Sequence, residues 1–481
     1  MAVINKLLKS PTATTFLTRA VSPLRILILT PVVLGTFSKV ELDVFFMFGS
    51  ALVFFTIFSA RLGDVFMRML AYAFAGAESL APVTELKKME RPVGDSPNWQ
   101  LFGSAYKTLG SLLAVAALPS VLFAVATFTW TIGTLTDWSF SDRWLWAAAG
   151  VGALNSVIEI TFLRYRAALV AAGGIAKANL VELFSAVLSV VVSCLVVLLG
   201  GGLFGLITTQ FVFNCLRRIL LIRELPKPLR EDRWKFGWDQ QIISWAWSPL
   251  WKSLVSMTAG MGVERSVGLF LVAVGRPGFA APFLLAQSLI GTVSQLGSVP
   301  LQSQLPRFAT MLAKGEGRDV VVQSIARIFP LPIVMFLFVG LGSFLLPWLL
   351  ELLDSSISFL KPRDWFLLGI GLTLRRFVAS FAQVYVLTNN MVFYLRTVIA
   401  GVIAVGFFWW GSQTESYTPF ALGLWLPTII TMGFYSWRKF IELAGEEKSH
   451  YWAEALKAAK KDIKQGIGMF RTPARLNRSV K

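Results

Sequence analysis

The sequence predicts an all-α, polytopic membrane protein with about twelve transmembrane helices in two six-helix lobes. Hydrophobic residues make up 55% of the 481 residues and charged residues only 15%, whereas charged residues make up about 25% of a typical soluble protein. The hydrophobic residues also gather in runs of about 20, which is the length of a helix that crosses a bilayer. The 17 Trp residues fit this class, because Trp is enriched at the boundary between lipid and water.

Twelve hydrophobic stretches can be assigned as spans in order along the chain. They cover residues 22–40, 43–68, 107–135, 144–170, 175–199, 202–222, 246–274, 279–305, 322–350, 364–388, 391–411 and 418–438. The sixth span ends in a polar, proline-containing stretch, "CLRRILLIRELPKPLREDRWKFGWDQ", which divides the spans six and six. We therefore predict a first lobe over 1–222, a cytoplasmic linker over 223–244, a second lobe over 245–440 and a basic tail over 441–481.

The loops between the spans alternate between basic and nearly base-free, and this alternation gives the orientation. The basic set includes Lys87 and Lys88, the linker and the tail, whereas the opposite set holds single bases such as Lys39 and Arg143. Because cytoplasmic loops collect Lys and Arg, both termini are predicted to be cytoplasmic. The same rule accounts for the net charge of +18. In a soluble protein that charge would suggest a nucleic-acid partner, and here we predict none.

The predicted tail contains one helical stripe of apolar residues with lysines beside it. The stripe consists of Trp452, Leu456, Ala459, Ile463, Ile467 and Phe470. Spacings of three and four residues place these side chains on one face of a helix. A basic amphipathic helix lying on the cytoplasmic leaflet is predicted.

The two halves of the chain share a weak repeat. The stretch "VFMRMLAYAFAG" (65–76) is similar to "QLPRFATMLAKG" (304–315), and Gly173-Gly174 occupies the place that Asn389-Asn390 occupies in the second half. Both dipeptides suit a tight turn with positive φ. Six plus six spans with the same direction would form a parallel pseudo-repeat about an axis along the membrane normal, as in transporters built from two lobes.

Most of the chain resembles the polysaccharide (O-antigen type) flippases of the multidrug/oligosaccharidyl-lipid/polysaccharide exporter superfamily. The resemblance rests on "ARLGDVFMRMLAYAFAG", on "YRAALVAAGGIAKANLVELFSAVLSV" and on "VERSVGLFLVAVGRPGFAAPFLLAQSLIGTVSQLGSVPLQSQLPRFATML". Where the family usually has Asp-Arg followed by a glycine in span 7, this chain has Glu264, Arg265 and Gly268. Where the family tends to have Tyr-Gly before span 2, it has "TFSKVELDVFF".

The resemblance implies a V-shaped transporter fold in the bacterial inner membrane. It further implies that the substrate is a polyprenyl-pyrophosphate-linked oligosaccharide, translocated by alternating access, and that a glycan polymerase or ligase would be a partner. The lipid bilayer is the other partner that the composition predicts.

Charged residues within the spans are the candidate site residues, because each costs about 2.5–3.5 kcal/mol at a helix centre. The basic candidates for substrate binding are Arg25, Arg61, Lys252, Arg265, Arg375, Arg376 and Arg396. The acidic candidates, for coupling or for charge pairing, are Asp64, Glu159, Glu182 and Glu264. The excess of base favours an anionic head group, since Arg binds phosphate oxygens two at a time and Lys acts as a point charge.

Two alternatives stay open for the acids. Arg61 and Asp64 share a helix face through their i,i+3 spacing, so they could neutralise each other or line a polar cavity. Glu159 could pair with a base on its own helix, such as Arg164, and Glu182 with a base on a neighbouring span.

Enzyme chemistry and other classes are disfavoured by the sequence. Its single histidine, His450, lies in the tail, so we predict no metal and no cofactor. It contains no GxxxxGK[ST] loop for ATP. The predicted external loops are short, and Asp137 and Asp142 are interpreted as solvated loop acids. The alternatives to a flippase are a multidrug exporter of the same superfamily, a membrane-embedded glycan-assembly enzyme and a membrane scaffold without transport.

Overall fold

The computed structural model describes residues 11–74, 96–136, 142–231, 235–302, 316–388 and 392–444, together with residues 76, 304, 305, 308, 311 and 312. The first half contains α1 (Pro11–Thr36), α2 (Lys39–Phe74), α3 (Trp99–Leu135), α4 (Arg143–Ala171), α5 (Ile175–Leu198), α6 (Gly202–Glu224) and the short α7 (Lys227–Glu231). The second half contains α8 (Gln240–Met257), α9 (Val263–Val272), α10 (Ala280–Gln302), α11 (Gly317–Ile328), α12 (Pro330–Leu352), α13 (Pro362–Val386), α14 (Tyr394–Thr414) and α15 (Tyr417–Glu442). The predicted all-α class is therefore confirmed.

All twelve predicted spans fall on these helices, and the protein is a multi-pass membrane protein. Eight helices within the described residues are long and apolar enough to cross a bilayer, by length and composition. Two predicted spans differ from single helices. Span 7 consists of α8, a π-helical turn and α9, and span 9 consists of α11 and α12. The second break occurs at Pro330, whose ring and missing N–H fit the start of a helix better than its interior.

Polar side chains fix the starts of helices by accepting hydrogen bonds from backbone N–H groups that have no partner within the helix. Asn98 accepts from Leu101 N at the start of α3, and Asp142 accepts from Leu145 N at the start of α4. Between α4 and α5, Gly173 has φ +83° while Gly174 does not have positive φ. Only the first glycine therefore needs the left-handed conformation that the sequence predicted for this turn. The matching Asn389-Asn390 pair lies outside the described residues.

Each lobe packs around a few central helices. In the first lobe α4 contacts α2, α3 and α6, and α1 lies along α5; in the second lobe α15 lies against α13 and α14. Trp365 of α13 is fully buried and donates its indole N–H to Val339 O of α12 at 2.8 Å. Large apolar side chains such as Leu118, Phe344 and Phe434 are exposed, as expected for helices whose outer surfaces meet lipid tails.

The lobes meet mainly through α1 and α2 of the first and α8, α9 and α10 of the second. Met47 of α2 packs so closely on Gly268 of α9 that a Cβ there would lie 2.9 Å from the Met47 sulfur. A glycine at 268 therefore lets the two lobes approach.

Candidate functional site

Four neighbouring charged residues of the second lobe come together between α9 and α13. We call Glu264, Arg265, Arg375 and Arg376 the arginine cluster. Arg375 Nη2 lies 2.9 Å from Glu264 Oε2, and Arg265 and Arg376 also act electrostatically on the Glu264 carboxylate. Both partners of the ion pair are largely shielded, with side-chain exposures of 25% for Glu264 and 18% for Arg375. Three guanidiniums around one carboxylate leave an excess of positive charge inside the lobe.

The cluster lies deep in the helices, since Arg375 stands near the middle of α13. This is the depth that the sequence predicted for Arg375 and Arg376. Sequence reasoning also selected Glu264, but it could not predict that these two helices would bring Glu264 and Arg375 together.

A π-helical turn, Thr258–Gly262, places backbone oxygens beside the cluster. Its sequence, "TAGMG", interrupts the α8–α9 rod with a widened turn, a feature that occurs often at functional sites. Arg375 Nη2 donates to Gly260 O at 3.5 Å. A Cβ at Gly401 of α14 would lie 2.9 Å from Ala259 O, so small residues let α14 pack directly on this turn.

A small cavity of about 20 Å³ lies next to the ion pair, which is room for about one water molecule. Its polar lining includes Glu264, Arg375, Thr397 and Thr428. The remaining lining residues are Ala259, Gly260, Val263, Ala400, Gly401, Ala404, Phe408, Gly423 and Leu424. One ion pair, two hydroxyls and an apolar wall give this cavity the polar composition of a small-molecule site, but in this conformation it is far smaller than such a site.

Two N–H donors of the cluster lack a hydrogen-bond acceptor among the described residues. Arg376 Nη2 donates to Ser298 Oγ of α10 at 2.9 Å. The Nε atoms of Arg265 and Arg376 are buried and have no hydrogen-bond partner among the described residues. Buried donors are nearly always paired in native proteins, so these two atoms are donors without an acceptor in this conformation; the buried Nε of Arg217 in the first lobe also has no hydrogen-bond partner among the described residues.

A second arrangement joins the two lobes at one end of the bundle. Asp43 of α2 is fully buried and accepts hydrogen bonds from Gly278 N at 2.5 Å and Ala281 N at 2.6 Å. These N–H groups stand at the start of α10, where a carboxylate is stabilised by the orphan donors and the helix dipole. We call this the inter-lobe contact.

Other bonds reinforce the inter-lobe contact. Ser356 Oγ donates to Phe37 O at 3.1 Å across the lobes. Within the second lobe, Tyr417 OH donates to Phe279 O at 2.8 Å, and the two rings stack with centroids 4.5 Å apart. Tyr417 thus holds the residues that precede α10 in the position that Asp43 requires.

Sequence reasoning missed Asp43, although one signal was present. Helix α10 begins at Ala280 after Phe279, so no Ser, Thr, Asp or Asn precedes it to cap its first turn. A buried helix start without a local cap must find a cap elsewhere in the chain.

The acidic candidates of the first lobe form pairs within that lobe. Glu159 Oε2 lies 2.7 Å from Arg217 Nη2 of α6, and Glu182 pairs with Arg166 of α4. The partner of Glu159 is therefore on another helix, not Arg164 of its own helix, whereas Glu182 pairs across helices as expected. Arg164 is buried against the rings of Tyr106 and Tyr165.

No described atom places the remaining candidates in the arginine cluster. Arg25, Arg61, Asp64 and Lys252 lie in α1, α2 and α8, but their side chains are outside the described part of the structure. Arg396 lies over the Tyr435 ring, with its Cζ 3.9 Å from the centroid, and it is not a lining residue of the cavity. Among the described residues, no group of His, Cys, Asp or Glu is arranged to hold a metal.

Comparison with known proteins identifies the fold. No protein-family model matches the chain, and no curated protein matches its sequence. Solved structures do match. The inward-facing conformation of a multidrug resistance MATE family transporter of the MOP superfamily has a TM-score of 0.64 at 11% identity, over 88% of this chain and 96% of that chain.

Two further structures agree with this match. A MATE crystal structure in complex with MaL6 has a TM-score of 0.58 at 12% identity, over 91% of this chain and 98% of that chain. A MOP superfamily transporter from Pyrococcus furiosus has a TM-score of 0.57 at 12% identity, over 91% and 96% of the two chains. The reverse polarity of its binding pocket is described as suggesting a different function. The chain thus has the two-lobe helical fold of these transporters.

Proposed function

We propose that this chain is a transporter that moves an anionic, polyprenyl-pyrophosphate-linked oligosaccharide across the bacterial inner membrane by alternating access, with both termini in the cytoplasm. The observation that carries this proposal is the arginine cluster beside its cavity. Its net charge is positive, it lies deep in the helices, and two of its buried Nε atoms have no acceptor among the described residues.

The chemistry of the cluster suits phosphate better than a cation. Arg presents a planar set of donors that matches phosphate oxygens, and such charge-assisted bonds are stronger than neutral ones. Glu264 neutralises Arg375 in the absence of substrate, which lowers the cost of holding that guanidinium away from water. A pyrophosphate would add acceptors for Arg265 and Arg376 and so balance the remaining charge.

The inter-lobe contact supplies a device for alternating access. It closes one end of the lobe interface, and the loop rules predict that this end is external. Helix α9 begins at the arginine cluster and leads through residues 273–279 directly into the contact at the start of α10. In this proposal, movement of α9 on substrate binding disturbs the bonds to Asp43, and the outer end opens.

A multidrug exporter is the second candidate, and two observations favour it. The structures with the same fold include multidrug resistance transporters, and the cavity is walled by Phe408 and small apolar residues next to one carboxylate. In that case Glu264 would bind an organic cation. The Arg375 side chain already occupies that carboxylate at 2.9 Å, so the cation would have to displace it.

Transport in proteoliposomes decides between the two candidates. The purified chain is reconstituted and given either a fluorescent polyprenyl-pyrophosphate-linked disaccharide or the cationic dye ethidium. We expect carrier translocation without ethidium transport, and at least a tenfold loss in Arg375→Gln. The matched control is Arg143→Gln, which removes the same charge from an exposed position at the start of α4 and should transport normally.

The opposite results would reject the proposal. Ethidium transport without carrier translocation would favour the exporter. Chemical conversion of the carrier would favour a glycan-assembly enzyme. Absence of both transport activities in a stably folded preparation would favour a scaffold.

A further inference from the structure

A group of basic side chains lies at the end of the bundle opposite to the inter-lobe contact, where α14 begins and α15 ends. It consists of Arg396 on α14 with Arg438 and Lys439 on α15, and Arg396 and Lys439 lie over the Tyr435 ring. We call this the α14–α15 basic site. The loop charges predict that this end faces the cytoplasm, and the arginine cluster uses none of these residues.

Arg396 is held in a defined orientation although it is exposed. Its Nη1 donates to Thr431 O at 3.0 Å, and its Cζ lies 3.9 Å above the Tyr435 ring centroid. A guanidinium has five N–H donors, and the bond to Thr431 uses one of them. Stacking on an aromatic ring and a backbone bond reduce the freedom that Arg396 would lose on binding an anion.

Arg438 and Lys439 add charge to the same end of the seam between the helices. Arg438 has a side-chain exposure of 70% and contacts Glu442 at 3.5 Å, while Lys439 Nζ lies 2.7 Å from the same carboxylate. Lys439 Nζ also lies 5.9 Å from the Tyr435 ring centroid. One glutamate is thus shared by two bases, and together with Arg396 the site keeps an excess of positive charge.

The outer surface below this charge is apolar on both helices. Leu395, Ile399 and Val402 of α14 are exposed, as are Ile430 and Phe434 of α15. Their spacings of three and four residues give each helix one continuous apolar face. A charged end above an apolar surface matches the shape of a phospholipid, with one phosphate at the guanidinium and acyl chains along the seam.

We infer that the α14–α15 basic site binds an anionic phospholipid of the leaflet at this end of the bundle. Charge complementarity selects the anionic headgroup, since a zwitterionic lipid brings a compensating cation to the same place. The exposed aliphatic face selects a lipid over a free phosphate. Arg396 is the central headgroup ligand, and Arg438 and Lys439 surround it.

The test measures thermal unfolding of the full chain in mixed micelles with increasing phosphatidylglycerol. We expect phosphatidylglycerol to raise the unfolding midpoint and phosphatidylcholine to leave it unchanged. Arg396→Gln should need about fivefold more phosphatidylglycerol for half of the effect, the change expected from about one basic side chain at an anionic surface. Arg143→Gln removes the same charge from an exposed position at the start of α4 and is the matched control.

Three results would overturn the inference. They are equal phosphatidylglycerol requirements for Arg396→Gln and Arg143→Gln, equal stabilisation by phosphatidylcholine, or equal stabilisation by inorganic phosphate, which would identify a free anion as the ligand. If Arg396→Gln does not fold, the double variant Arg438→Gln/Lys439→Gln provides the same comparison. An unchanged lipid requirement in that variant would equally reject the site.

Discussion

The two lobes each contain a glutamate–arginine pair of nearly equal shielding, but the surroundings of the pairs differ. Glu159–Arg217 in the first lobe has side-chain exposures of 25% and 20%, and Glu264–Arg375 in the second has 25% and 18%. Arg217 lies over the Phe162 ring, 4.2 Å from its centroid. Arg375 instead faces a cavity and has two further arginines beside it. Burial alone therefore does not separate a structural ion pair from a candidate site.

The largest expected effect is a loss of carrier translocation when the Glu264–Arg375 pair of the second lobe is changed. Glu264→Gln leaves three guanidiniums without a carboxylate and should destabilise the protein by less than the about 3–5 kcal/mol of a fully buried pair, because the pair is partly exposed. Arg375→Gln should cost less still, because Glu264 keeps Arg265 and Arg376 beside it. The double variant Glu264→Gln/Arg375→Gln removes both charges of the pair but leaves Arg265 and Arg376 without a carboxylate, so it should recover only part of the stability. Carrier translocation should stay at least tenfold reduced in the double variant, measured in proteoliposomes beside thermal unfolding in detergent.

Transport restored in that double variant would make the second-lobe pair structural, like the first-lobe pair. The contrast between the two ion pairs would then not hold, and the arginine cluster would not be the substrate-binding site.

The first-lobe pair provides the matched experiment. Glu159→Gln and Arg217→Gln should each destabilise the protein to a similar degree, because their exposures match those of the second-lobe pair. Here we expect the double variant to recover stability and transport together, since Phe162 and the Asn155–Asn214 hydrogen bond at 2.8 Å keep α4 and α6 packed. The same two assays are used. A persistent transport defect in the double variant would show that the first lobe also takes part in substrate binding or coupling.

A smaller effect is expected at the inter-lobe contact. Asp43→Ala removes the acceptor for Gly278 N and Ala281 N and should weaken closure by about 0.5–2 kcal/mol, the range for loss of a helix cap. With Cys194 and Cys215 first replaced by Ser, a cysteine at Ser356 should then be labelled faster from outside intact cells. A cysteine at Lys88, in a loop predicted to be cytoplasmic, is the control that should stay unlabelled. An unchanged labelling rate at position 356 would show that the hydrogen bonds of Asp43 do not keep the outer end of the lobe interface closed.

The smallest predicted effect concerns the linker that leads into the second lobe. Ser104 Oγ of α3 donates to Asp239 Oδ2 at 2.7 Å, and Asp239 caps α8 through Gln241 N and Ile242 N. These bonds, that of Ser104 foremost, hold the pKa of Asp239 below its usual value. The carboxylate therefore adds stability above its unfolded pKa of about 3.9, and this stability is lost as the pH falls through the lower folded pKa.

Ser104→Ala tests this contribution. The variant should be less stable than wild type at pH 6, by under about 1 kcal/mol because Asp239 is largely solvated. The difference should vanish in acid once the carboxylate is protonated in both proteins. Thermal unfolding at pH 6 and at pH values lowered stepwise below the unfolded pKa of Asp239 measures it, and a difference that persists at the lowest pH would assign the effect to packing of the Ser104 side chain.

How much the sequence could predict depended on whether the information was local. Hydrophobic run length located a helical segment at every predicted span, and the depth of Arg375 followed from counting along α13. The pairing of Glu264 with Arg375 joins residues on two helices far apart in the chain, so no spacing rule could supply it. The π-helical turn at "TAGMG" also escaped prediction, because small residues of this kind fit an ordinary helix equally well. Helix α2 continues to Phe74, beyond the predicted end at residue 68, since a helix can continue past the bilayer once its backbone is satisfied.

The bonds of Asp43 have a consequence for how this protein can change in evolution. Gly278 and Ala281 contribute backbone N–H groups only, so the second lobe needs no particular side chain at 281 to keep its partner. Position 278 is constrained for another reason, because φ is +84° and a Cβ would lie 3.2 Å from Lys39. In homologous sequences we therefore expect an acid at 43 and a glycine at 278 that each resist substitution without co-varying. Methods that infer contacts from paired substitutions would overlook the bond that joins the lobes.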